Sequence, residues 1–140
     1  VSGYAEFLEA KRHLGDMHGF EPLWMPEFLF DFQRAMVDWS IRRGRSAIFA
    51  DCGLGKTPMQ LVWAENVVRH TNRPVLIATP LAVSHQVVEE AAKFSIEAAR
   101  VRDGVSPGHA TIVVTNYERL HLFTPEDYAG MVCDESSILK

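Results

Sequence analysis

The sequence predicts an α/β fold: a parallel β-sheet flanked by helices on both faces. Two observations predict it. Short apolar runs without strict polar alternation, SAIFA at 46–50, PVLIATP at 74–80, TIVVTN at 111–116 and GMVCDE at 130–135, are interleaved with segments of helical length. Runs of that kind read as strands covered on both sides. The glycine-rich turn ADCGLGKT at 50–57 then joins the first run to a helix, the strand–loop–helix order of a parallel α/β unit. Right-handed crossovers collect the strand C-termini along one edge, where such sheets bind ligands.

The elements follow in order. Residues 4–13 read as a short amphipathic helix through Tyr4, Phe7 and Leu8, and GFEPLWMPEFLF at 19–30 as a packed loop of aromatics and prolines, its Phe20, Trp24, Phe28 and Phe30 forming core or the wall of a base pocket. Asp31 is an N-cap residue, Phe32, Met36 and Trp39 mark one helical face, and Gly44 supplies a left-handed stop near Arg43. MQLVWAENVVRH at 59–70 has helical length with apolar residues on more than one face. VSHQVVEEAAKF at 83–94 is helical through Val83, Val87, Ala91 and Phe94, and IEAARV at 96–101 is a further strand. Arg42, Arg43 and Arg45 read as cations meeting a helix C-terminus, and Gln33, on its residues alone, as a surface glutamine.

Composition narrows the function classes. The chain has 140 residues, 47% hydrophobic and 23% charged, enough for one domain with a continuous core. A net charge of −4 excludes a globally basic nucleic-acid binder, so any such contact needs a local patch or backbone amides. No long apolar run or signal-like start is present, so a soluble, cytoplasmic protein without membrane contact is expected. The two cysteines, Cys52 and Cys133, make no CxxC pair, and a reducing compartment suits them.

Two motifs carry the chemistry. In ADCGLGKT, Gly53 and Gly55 let the backbone of residues Asp51, Cys52, Gly53, Leu54 and Gly55 curl around a polyphosphate, with the amides before the next helix pointing inward. Lys56 neutralises the β and γ phosphates, Thr57 offers its hydroxyl to Mg²⁺, and Pro58 falls in a first turn where a missing N–H costs little. MVCDE is an apolar strand ending in two acids: Asp134 for the Mg²⁺ shell and Glu135 to polarise an attacking water. Lys56 and Glu135 are thus the catalytic candidates, and together the two motifs read as a Mg²⁺-nucleotide site; that the nucleotide is ATP is what the resemblance given next implies.

The order FLFDFQ, ADCGLGKT, LIATPLAVSHQ, VVTNYERL and VCDESSILK resembles the first RecA-like domain of superfamily 2 helicases and translocases, particularly the Swi/Snf-like branch and its bacterial and phage relatives. The resemblance spans roughly residues 28–140, leaving 1–27 as an N-terminal extension. Ala50, where the general phosphate loop begins with Gly, matches the AxxGxGKT form of that group. The resemblance implies that Gln33 recognises adenine, that Thr79, Pro80, Thr115 and Tyr117, with Glu118 beside them, contact a nucleic-acid backbone, and that Asp134 and Glu135 form motif II. Ser136 and Ser137 stand where the branch has Ala and His.

It further implies a RecA-like P-loop ATP hydrolase acting as a helicase or translocase on duplex DNA, in a bacterial or phage-encoded protein. The first domain would then be incomplete, with a second RecA-like domain of the same parent absent, and this chain nearly inactive by itself. The alternative from another class is a nucleotide-binding switch or assembly module that does not translocate.

Overall fold

The structure, a computed structural model, describes residues 19–43, 47–48, 56–105 and 107–133. The chain runs α1 (Asp31–Arg43), β1 (Ala47–Ile48), α2 (Lys56–Thr71), β2 (Val75–Thr79), α3 (Ser84–Lys93), β3 (Ala98–Arg100), β4 (Ile112–Asn116) and β5 (Gly130–Cys133), with short 3₁₀ turns after β2 and over 117–127. The five strands form one sheet in the order β1-β5-β2-β4-β3, and every pairing is parallel. The predicted helix at 4–13 lies outside the described residues.

Strand order decides what covers each face. From β1 to β2 to β3 the chain moves one way across the sheet, and right-handed crossovers in one direction place their helices on the same side. From β3 to β4 to β5 it travels back, so those connections fall on the opposite side. Side-chain alternation agrees. Val75, Ile77, Ile112, Val114 and Val132 point into the larger core with Val37 and Ile41 of α1, Val62, Trp63 and Val67 of α2, and Val87 and Ala91 of α3. Leu76, Ala78, Val113 and Met131 face a smaller core closed by Tyr117, Leu120, Phe123 and Tyr128. Among the described residues all three α-helices therefore lie on one face, correcting the expectation of helices on both. The return connection at 117–127 forms only 3₁₀ turns, with Pro125 opening the second of them.

α1 has the expected bounds but not the expected orientation. Phe32, Met36 and Trp39 lie on its outer side, Trp39 at 62% exposure. The face that packs carries Gln33, Val37 and Ile41, aligned with Leu29 just before the helix. Compact aliphatic side chains let α1 approach α2 closely, and the bulky aromatics are left outside. α2 is enclosed almost all round: Met59 through Ala64 and Asn66 through Val68 are buried, in keeping with its apolar residues on several faces.

The aromatic loop is fastened to α2 by one side chain. Asn66, fully buried, accepts the backbone N–H groups of Leu23 (2.7 Å) and Trp24 (2.9 Å) on Oδ1. Its Nδ2 donates to the carbonyls of Trp24 and Val62, each at 2.8 Å. Around this clip Phe20 stacks on His70, Arg69 lies over the Trp24 ring, and Phe28 stacks on Phe94. Phe20 and Trp24 belong to the core margin, whereas Phe30 is 69% exposed. α3 ends in a Schellman cap: Ile96 N–H donates to Ala91 O (2.8 Å), Ser95 N–H to Ala92 O (3.2 Å), and Ser95 takes φ +60°.

Candidate functional site

Because all strands are parallel, their C-terminal ends share one edge, and the register shows which ends are neighbours. Ile48, the last residue of β1, pairs with Cys133, the last of β5, and Cys133 pairs on its other side with Ala78 of β2. Thr79 of β2 is level with Asn116 of β4. The strand leading into the glycine-rich loop and the strand leading into the acidic pair thus end side by side. Asp51, Cys52, Gly53, Leu54, Gly55, Asp134 and Glu135 themselves lie outside the described residues.

α2 opens at Lys56, and Thr57, partly buried, and Pro58 complete its first turn. That turn carries no acidic residue, so no side chain of the helix's own first turn offsets the partial positive charge at the start of these 16 residues. Such an end suits an anion. Among the described residues no group of three or more His, Cys, Asp or Glu is arranged to hold a metal. Of the metal-binding pair expected from the sequence, only Thr57 is described.

Gln33 is buried at 4% exposure, not a surface residue. Its Oε1 accepts the N–H of Phe30 at 2.8 Å, the return half of a capping box at the start of α1. Arg34 braces the same corner through the carbonyls of Leu29 and Pro26.

The residues expected to touch nucleic acid are mostly turned inward. Thr79 is fully buried, its hydroxyl 2.9 Å from Ser84 Oγ and donating to Pro80 O at 3.0 Å, a relay that ties β2 to the start of α3. Thr115 is 2% exposed and Tyr117 belongs to the smaller core. Pro80 alone of the four is partly accessible.

The same edge carries a feature the motifs did not indicate. Past the ends of β2 and β4 is an open hollow of about 450 Å³, with Leu81 and Leu122 exposed in it and Arg102, Arg119 and His121 at its margin. Glu118 lines it too. Its carboxylate accepts from Asn116 Nδ2 at 2.9 Å, and that bond, followed by the residue's own backbone N–H, holds its pKa below the ordinary value. Arg102 lies two residues past β3 and Arg119 three past β4. The rule that sheets bind ligands at strand C-termini, applied to charged residues just beyond each run, would have found both.

No protein-family model matches this chain, and no curated protein shows significant similarity to it.

Proposed function

We propose that the chain is a Mg-ATP-binding domain of RecA-like type from an ATP-dependent DNA helicase or translocase of the superfamily 2, Swi/Snf-like kind. The observation that carries this reading is the pairing of Ile48 with Cys133, which ends the two motif-bearing strands at one edge beside each other. A phosphate-binding loop and a metal-binding carboxylate act on the same nucleotide, so they must leave adjacent or nearly adjacent strands. The start of α2, free of acids, is in keeping with an anion there.

In this reading the loop amides and Lys56 hold the phosphates, Thr57 and Asp134 hold Mg²⁺, and Glu135 positions and polarises the attacking water. The metal, when bound, neutralises charge on the β and γ phosphate oxygens. Gln33, buried beside the entry to α1, is the residue offered to adenine, and that role requires it to share or exchange its bond to Phe30 N–H.

A second reading, a nucleotide switch that does not move on nucleic acid, is favoured by one observation: the side chains of Thr79, Thr115 and Tyr117 are enclosed.

Isothermal titration with Mg-ATP tests the nucleotide site. The parent chain is expected to bind, and Lys56→Ala to bind at least tenfold more weakly, the loss of about 1.4 kcal/mol or more when the phosphate charge is left uncompensated. Equal affinity in the two would refute the phosphate-loop assignment.

A further inference from the structure

We propose that the outer face of α1, the band formed by Phe30, Phe32, Met36 and Trp39, is the docking surface of this chain's own N-terminal segment, residues 4–13, laid antiparallel along the helix. The inference is independent of the nucleotide site: it concerns what covers the face of α1 turned away from the core.

Exposure is the first argument. Phe30 is 69% exposed, Phe32 54%, Met36 36% and Trp39 62%. Phe32, Met36 and Trp39 recur at helical spacing, and Phe30 stacks on Phe32 with ring centroids 6.3 Å apart, so the four make one continuous band. At roughly 200 Å² for a whole side chain of this size, they offer on the order of 450 Å² of apolar surface. That is the size at which the largest patch on a monomer is often a contact surface. Val37 and Ile41 hold the other face of α1 in the core, so an element laid on this band encloses the helix between two layers.

Where the chain enters the fold names the occupant. Gly19, the first described residue, is pressed against the C-terminal end of α1: a Cβ there would lie 1.5 Å from the Arg42 carbonyl oxygen. Phe20 N–H donates to Ile41 O at 3.2 Å, and its ring stacks on His70. Residue 19 is therefore fixed about one helical turn beyond Trp39. Residues 14–18 can span up to about 17 Å, ample for a turn back onto the band. The helix expected over 4–13 is about 15 Å long, with Tyr4, Phe7 and Leu8 at the spacing of one face. Counted back from the turn at about 1.5 Å per residue, Leu8 and Phe7 come level with Trp39 and Met36, and Tyr4 with Phe32. A segment tethered this closely acts at an effective concentration in the millimolar range, whereas two copies each of net charge −4 repel one another.

The test is hydroxyl-radical footprinting of the full chain, read by mass spectrometry, with the double variant Phe7→Asp/Leu8→Asp beside the parent. Oxidation of Phe32, Met36 and Trp39 is expected to rise about threefold or more in the variant, while Leu81 and Leu122, exposed past the ends of β2 and β4, keep the parent's rate. The reciprocal measurement starts from the other surface. Trp39→Ala should speed amide hydrogen exchange across residues 5–13 about tenfold or more, as the segment loses the contact that closes it. Circular dichroism checks the fold of each variant. The two variants alter different surfaces, so failure of one to fold leaves the other to decide.

Parent-like oxidation of the band in Phe7→Asp/Leu8→Asp, or parent-like exchange at 5–13 in Trp39→Ala, would overturn the proposal. So would exchange at 5–13 in the parent as fast as in an unstructured peptide. Protection of the band that fades on dilution, with a dimer in sedimentation, would overturn it in favour of a second copy as the occupant. None of these readouts depends on bound nucleotide, so the docked segment and the nucleotide site can fail separately.

Discussion

Replacing Asn66 by alanine should cost about 3 kcal/mol of folding stability without touching the proposed nucleotide site. Asn66 makes three bonds to the aromatic loop: two accepted from Leu23 and Trp24 N–H and one donated to Trp24 O. Each net bond is worth about 1 kcal/mol, and the loop groups left behind are only partly buried, so water recovers some of the loss that a sealed site would incur. Urea unfolding measures this. With a slope of about 2 kcal/mol per molar, the midpoint should fall by about 1.5 M with the slope unchanged. Asn66→Asp supplies the sharper check. It keeps one acceptor but places an oxygen opposite the carbonyls of Trp24 and Val62, which the native amide satisfied by donation. The introduced carboxyl is favoured in its protonated form, so its folded pKa is raised above the unfolded value of about 3.9. The folded state then binds more protons, and stability falls as pH rises through that range. The Asp variant should thus approach the parent only in acid. An Ala variant within about 1 kcal/mol of the parent, or an Asp variant whose deficit is flat with pH, would refute the clip.

Tyr128 is fully buried with a hydroxyl that has no hydrogen-bond partner among the described residues, and burial first, then the charges of Asp127 and Asp103, push its pKa up to about 12. Tyr128→Phe should therefore stabilise the fold by about 1 kcal/mol in thermal melts; a loss of similar size would show that the hydroxyl is satisfied in solution. Ser95 occupies the left-handed cap of α3 at φ +60°, so Ser95→Gly should raise stability by about 1 kcal/mol, and a fall would contradict that backbone geometry. His109 is raised and Glu97 lowered, each chiefly by their mutual hydrogen bond at 3.0 Å. The raised imidazole contributes fully below its ordinary value of 6.5 and loses that contribution as pH rises through its folded value; the lowered carboxylate contributes above 4.5 and loses it in acid. His109→Gln should differ most from the parent at roughly pH 5 to 6 and converge with it in alkali and in high salt, both groups being exposed; a constant difference would exclude the pair.

Much of the secondary structure was legible because its signals are local. α1 spans Asp31–Arg43 as expected, although Gly44, its expected stop, lies outside the described residues, and the apolar runs marked β2, β4 and β5 within a residue or two of their bounds. The parallel arrangement was legible as well, since strands without polar alternation need cover on both sides. α1 shows where local pattern is insufficient. It carries two apolar stripes, Phe32, Met36 and Trp39 on one and Val37 and Ile41 on the other, and periodicity cannot choose between them; the close approach of α2 does. Gln33 went the same way, turned inward by a bond to Phe30 N–H that no composition rule weighs against solvation.

What only the tertiary structure decided is non-local. The order β1-β5-β2-β4-β3 sends the chain out and back across the sheet, and that reversal, through the handedness of crossovers, puts the three described α-helices on one face and, among the described residues, leaves the other to 3₁₀ turns. It sets β1 beside β5, two strands far apart in the chain, and it sets the ends of β3 and β4 close enough for Arg119 to reach the Arg102 carbonyl. Residue types and spacing name the chemistry a segment can do, because propensity and capping act over a few residues. Which segments meet depends on the sheet order that buries the most apolar surface with every strand paired, and that is a property of the whole chain.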